Sequence, residues 1–96
     1  MRETDVEKHL CDRVKQDLHG LALKFVSPGC NGVPDRIVLV PMGRIWFVET
    51  KAPSKTPRKL QKYIIAISRA LGFRVLVLDT KQKVDHFIGE VLNGGV

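Results

Sequence analysis

The chain has 96 residues, 44% of them hydrophobic and 27% charged, with 16 basic against 10 acidic side chains for a formal net charge of +6. This length predicts one domain around one core, and the composition excludes a disordered chain. The longest apolar runs, Ile37–Val40 and Tyr63–Ile67, fall far short of the roughly 20 residues that a membrane helix needs.

Met1–Asp5 has no apolar segment behind it, so no secretory signal is expected. Cys11 and Cys30 fit a reducing cytosol, where a structural disulfide is unusual. A chain this small buries only about 60–65% of its unfolded surface, which leaves a thin stability margin unless it oligomerises.

Thr4-x-x-Glu7 has the spacing of a capping box, and Val6, Leu10, Val14, Leu18 and Leu21 recur at helical intervals. A helix over residues 4–19 is predicted, with Gly20 as its left-handed stop. Leu21–Ser27 reads as a short strand and Pro28–Gly32 as a turn region. Asp35–Val40 is apolar and β-branched, and Pro41-Met42-Gly43 is a tight link to Arg44–Lys51, so these two strands form a hairpin.

Thr56, just ahead of Pro57, is the expected cap of a second helix. Its predicted buried stripe is Leu60, Ile64, Ile67 and Leu71, and Gly72 ends it. Phe73–Leu78 is strongly apolar, as expected for a strand covered on both faces. Thr80 opens a last helix through Val84, Phe87, Ile88, Val91 and Leu92. The order is α-β-β-β-α-β-α, an α/β fold in which a right-handed crossover sets the fourth strand parallel to the third.

The charge is concentrated. From Arg44 to Arg69 there are seven basic residues and one acid, Glu49, while the rest of the chain balances nine against nine. A solvated face would serve solubility. A cluster centred on Lys55, Arg58, Lys59 and Lys62 favours a surface that faces phosphates.

Alternation along the third strand puts Ile45, Phe47, Glu49 and Lys51 on one face and Trp46, Val48 and Thr50 on the other. Because the hairpin link is short, Asp35 at the start of one strand lies beside Glu49 at the end of the other. Two such carboxylates repel unless a hard divalent cation joins them, and Mg²⁺ is commonly held by one or two carboxylates plus water and phosphate. Lys51 could orient or deprotonate a water, or stabilise charge at a phosphate. Glu7 is open to two roles, a third carboxylate or the second half of the capping box, and the residues alone favour the box. Glu49 and Lys51 could also be an ordinary ion pair worth about 0–1 kcal/mol. The hairpin, the shared face and the basic segment that follows together favour a metal-phosphate site.

Several motifs resemble a known family. Lys24-Phe25-Val26-Ser27-Pro28-Gly29, Gly32-Val33-Pro34-Asp35-Arg36, Phe47-Val48-Glu49-Thr50-Lys51-Ala52-Pro53, Gln61 and Leu71-Gly72-Phe73-Arg74-Val75 resemble the VRR-NUC domain, the virus-type replication-repair nuclease branch of the PD-(D/E)xK superfamily. The likeness runs from Glu7 to about Asp85. It implies a restriction-endonuclease-like αβββαβ core with a mixed four-stranded sheet flanked by helices, here with a C-terminal helix added. It also implies a single domain over residues 1–96 that hydrolyses DNA phosphodiester bonds with Mg²⁺ or Mn²⁺, by attack of one water on phosphorus.

On that resemblance Asp35, Glu49 and the Thr50 backbone carbonyl match metal ligands and Lys51 the catalytic lysine. Glu7 matches the helix-1 acid, with Glu3 as its competitor one turn earlier, and Gln61 matches the glutamine after the catalytic strand. Arg36 and Tyr63 join Lys55, Arg58, Lys59 and Lys62 as expected DNA contacts. The family often has an aliphatic residue where Thr50 stands, and a basic pair where Cys30-Asn31 stands. Stand-alone copies resemble phage and bacterial forms. These imply a homodimer that cuts branched DNA such as Holliday junctions, in the cytoplasm of a bacterium or phage-infected cell. A non-catalytic DNA-binding module, or a nuclease of linear or flapped DNA, is the alternative; acids beside phosphates speak against the first. Trp46 is expected under a helix or in a dimer interface. His9, His19, His86 and the two cysteines show no zinc spacing.

Overall fold

A computed structural model describes residues 1–95. Helix α1 (Glu3–Leu18) buries Val6, Leu10, Val14 and Leu18, one residue per turn, against the sheet and the last helix. Its start differs from the expected box. Arg2 is the N-cap, and its N–H donates to the Asp5 carboxylate at 2.8 Å, which leaves Glu7 free of capping. At the other end His19, with φ of 53°, takes the left-handed position predicted for Gly20. Gly20 is required for another reason. A Cβ there would lie 2.2 Å from the Leu39 carbonyl oxygen, so only glycine lets the chain pass this close to the sheet.

Strands β1 (Leu21–Lys24), β2 (Arg36–Val40), β3 (Arg44–Thr50) and β4 (Val75–Leu78) form one mixed sheet in that order. The first two pairings are antiparallel, and β3 and β4 are parallel, as the crossover demands. Leu39 pairs with Ile45, Val38 with Trp46 and Arg36 with Val48. β4 is an edge strand in which Val75 and Leu78 are buried and Leu76 and Val77 half-buried, less covered than its composition suggested.

On one face of the sheet Val38, Val40, Trp46 and Val48 pack with α1 and with Val84, Phe87, Ile88 and Val91 of α3 (Lys81–Leu92). Trp46 meets Phe87 edge to face at 5.6 Å, and the Arg74 guanidinium stacks 4.1 Å from its ring centroid. Trp46 is therefore core, not interface. Thr80 caps α3 as predicted, its hydroxyl accepting from Lys83 N–H at 3.0 Å.

The other face carries Phe25, Phe47 and Phe73, with ring centroids 5.9 and 6.1 Å apart in sequence, under α2 (Lys59–Ala70). This helix starts later and sits rotated from expectation. Arg58 is its N-cap, and the Gln61 side-chain oxygen accepts from Arg58 N–H at 2.8 Å, so Thr56 stays in the connection. Gln61 and Ile65 are its buried residues, while Leu60, Ile67 and Leu71 are 49%, 39% and 70% exposed. Apolar residues occur nearly all round α2, so their spacing did not select one face; the buried Gln61 does.

Candidate active site

The site forms where the β2–β3 ladder runs out. The last backbone pair is Arg36 with Val48. One step further, side chains replace the missing carbonyl acceptors. Asp35 N–H donates to Glu49 Oε1 at 3.1 Å, and Thr50 N–H donates to Asp35 Oδ1 at 3.0 Å. The Thr50 hydroxyl donates to the other oxygen, Asp35 Oδ2, at 2.7 Å. The Asp35 carbonyl in turn accepts from Phe25 N–H at 2.9 Å, which carries β1 one residue past its ladder. Asp35 and Glu49 are thus locked together by the way the hairpin terminates.

Glu49 is almost fully buried, at 3% exposed, and both its oxygens are engaged. Oε2 accepts from Gln61 Nε2 at 2.8 Å and pairs with Lys51 Nζ at 2.9 Å. Gln61 consequently bridges the first turn of α2 to the end of β3. Lys51 shares the face of Glu49, as alternation requires, and Lys51 N–H continues the parallel pairing to the Leu78 carbonyl at 3.0 Å. Burial pushes the Asp35 carboxyl above the usual carboxylate value, and the charges of Glu49 and Glu7 push the same way; the hydrogen bonds from Thr50 oppose them.

Asp35, Glu49, Lys51, Gln61 and Arg58 line one cleft of about 340 Å³, closed on the far side by Phe25, Val26, Ser27, Cys30, Asn31 and Val33. The turn-rich loop approaches α2 closely: a Cβ on Gly32 would lie 2.7 Å from Leu60 Cγ and 3.0 Å from both Ile64 Cγ1 and the Leu60 carbonyl oxygen.

The helix-1 acids divide differently from expectation. Glu7 Oε2 pairs with Arg36 Nε at 2.8 Å, and Arg36 also donates to the Ala22 carbonyl at 3.0 Å. Glu3 is the α1 acid that lines the cleft. Arg36 is therefore committed to α1 and β1 and does not present a free cation to solvent. Lys55, Arg58, Lys59, Lys62 and Tyr63 are all exposed, and of these Arg58 lines the cleft.

No three His, Cys, Asp or Glu side chains converge as a ready-made metal cage among the described residues. The acids that meet are Asp35 and Glu49. Their carboxylate oxygens are the donors that suit a hard cation that keeps much of its water.

The Thr50 hydroxyl is the contact that spacing and resemblance both missed. Its signal was available: a polar residue ends a strand face otherwise made of Trp46 and Val48. The Glu7–Arg36 pair, 29 residues apart, had no comparable local sign.

No protein-family model matches the chain. It is 49% identical over 81 residues to a protein named "Putative nuclease p44" of Acyrthosiphon pisum secondary endosymbiont phage 1, across 84% of this chain and 86% of that one. A solved structure described as a VRR_NUC domain superposes with a TM-score of 0.85 at 34% identity, covering 91% of this chain and 94% of the other. The shared α/β architecture agrees with the motif pattern around Asp35 and Glu49. The chain belongs to the VRR-NUC family.

Proposed function

We propose that this protein is a divalent-metal-dependent DNA endonuclease that hydrolyses phosphodiester bonds in branched DNA, four-way junctions among them. The observation that carries the reading is the pairing of Asp35 with Glu49 at the open end of the hairpin, with Lys51 bonded to Glu49 and the basic residues of α2 beyond. Kinship with a named phage nuclease and with a VRR_NUC structure supports the nuclease class.

Asp35, Glu49 and the Thr50 carbonyl would hold Mg²⁺ or Mn²⁺. The ion, when bound, supplies a water of lowered pKa and neutralises charge on the phosphate. Lys51 Nζ, 2.9 Å from Glu49 Oε2, is placed to orient that water or to stabilise developing charge. Gln61 holds Glu49 from the opposite element, so the acid keeps its orientation when Lys51 turns toward substrate. Glu3 or Glu7 completes the acidic set from α1. Glu3 already lines the cleft, whereas Glu7 reaches it only when its pair with Arg36 opens. Lys55, Arg58, Lys59 and Lys62 grip the backbone, and Tyr63 offers a ring for stacking on a base.

The branched substrate and the dimer go together in this reading. The exposed apolar side chains Leu60 and Ile67 of α2, Leu71 at its C-terminal cap and Phe73 give a second copy a surface to cover. A two-fold dimer offers two sites to a symmetric junction.

The test is incubation of a labelled four-way junction, a flap and a linear duplex with the protein and Mg²⁺ or Mn²⁺, beside Asp35→Ala. Cutting of the junction that disappears in Asp35→Ala and in chelator is expected. Equal cutting by both proteins, or cutting in chelator, would refute metal-dependent catalysis at Asp35.

A further inference from the structure

One residue holds both oxygens of Asp35. Thr50 donates its N–H to Oδ1 at 3.0 Å and its hydroxyl to Oδ2 at 2.7 Å. Thr50 itself is 0% exposed and lies on the strand face that carries Trp46 and Val48 into the core. Valine has nearly the same shape and would suit that face. A buried hydroxyl is unfavourable unless it is bonded, and here its bonded partner is the carboxylate at the cleft.

A carboxylate held at one oxygen still turns about its last torsion, which is broad and roughly two-fold. A second donor on the other oxygen removes that freedom. Each carboxylate oxygen can accept more than one bond, so both remain open to a further partner on the cleft side. Family resemblance gives this position a role only through its backbone carbonyl. The side chain adds something that an aliphatic residue cannot supply.

We propose that the Thr50 hydroxyl is a positioning group for the metal site: it clamps the Asp35 carboxylate so that this acid would meet the ion already oriented. The proposal rests on the reading of Asp35 and Glu49 as metal ligands. A purely structural hydroxyl would act on unfolding alone. A positioning hydroxyl acts on ion affinity in the folded protein.

The experiment is titration of Mn²⁺ into the full chain without DNA, following loss of the free-ion EPR signal. It compares wild type with Thr50→Val, Thr50→Ser, Thr50→Ala and Asp35→Asn, and circular dichroism records the folding of each. Loss of an outer hydrogen bond to a ligand weakens metal binding by roughly 10–100-fold, so Thr50→Val and Thr50→Ala are expected to bind that much more weakly, with Thr50→Ser close to wild type and Asp35→Asn without site binding. Should Thr50→Val fail to fold, the Ser and Ala variants differ by one oxygen and carry the comparison. Unchanged affinity in the Val and Ala variants, with binding still lost in Asp35→Asn, overturns the role of Thr50 and leaves the metal reading standing. A wild-type protein that takes up no Mn²⁺ overturns both.

Discussion

Gly32→Ala tests whether the loop before Asp35 and the first turn of α2 act as one unit with Asp35 and Glu49. The added Cβ would sit 2.7 Å from Leu60 Cγ, about 0.8 Å inside the roughly 3.5 Å at which carbon atoms pack favourably. The Leu60 carbonyl oxygen at 3.0 Å is backbone, so the conflict is not relieved by a rotamer change, and α2 has to move. Overpacking of this kind costs about 1–3 kcal/mol, and the gain from a stiffer unfolded chain offsets about 0.4–1 kcal/mol. At the middle of both ranges the net loss is about 1.3 kcal/mol, a Tm lowered by roughly 5–10 °C for a domain of this size. Gln61 sits one residue from Leu60 and bonds Glu49, so the displacement reaches β3, and junction cleavage is expected to fall along with stability. Gly29, in the same loop, has nothing within 4 Å of its would-be Cβ, and Gly29→Ala is the control, expected within about 0.5 kcal/mol of wild type. Thermal unfolding by circular dichroism and single-turnover junction cleavage are the two measurements. A Gly32→Ala protein as stable and active as wild type, or a Gly29→Ala protein equally damaged, would refute the coupling.

Lys51→Met is expected to lower the cleavage rate by roughly 10²–10⁴-fold while Mn²⁺ binding persists, since Lys51 serves the reaction and not the ion; lost Mn²⁺ binding contradicts that division. Asp35→Asn is expected to melt higher than wild type in metal-free buffer at pH 7, because the raised carboxyl pKa means that the ionised form is disfavoured in the folded state. The difference shrinks as pH falls through the folded pKa, where wild type takes up the proton, and a Tm difference that widens toward acid argues against the assignment. Asp85 behaves oppositely, its pKa held below the usual value by hydrogen bonds from His9 and Arg13 across α1 and α3. Its contribution is present above the unfolded value of 3.8 and disappears as pH falls through the folded one, so Tm curves of wild type and Asp85→Asn should converge in acid. Leu71→Glu places a charge on the exposed apolar face of α2, and sedimentation of the variant as a monomer against a wild-type dimer is expected; identical sedimentation removes that face from the interface.

The hairpin explains why so much of the candidate site on β3 was legible from residues alone. Period-two alternation assigns Glu49 and Lys51 to one face, and a short link fixes which residues stand opposite, so Asp35 beside Glu49 follows from register. Those are local rules acting on a regular element. They stop where the ladder stops, and the chemistry begins there. Beyond Arg36 and Val48 the backbone donors of Asp35 and Thr50 lack carbonyl partners, and a buried donor must find an acceptor. The carboxylates of Glu49 and Asp35 supply it, so the same bonds that terminate the sheet assemble the acidic pair. No propensity or periodicity encodes that exchange, because each acid serves a neighbour's backbone across the hairpin. The same limit accounts for α2, whose rotation is set by a single buried polar contact, Gln61 to Glu49, and not by its many apolar residues. It accounts also for Glu7, whose partner Arg36 is brought near only by the docking of α1 on the sheet. The departures at the site, in Gln61 and Glu7, thus share one cause: they are polar contacts between elements, Gln61 with Glu49 and Glu7 with Arg36, satisfied at the edges of regular structure.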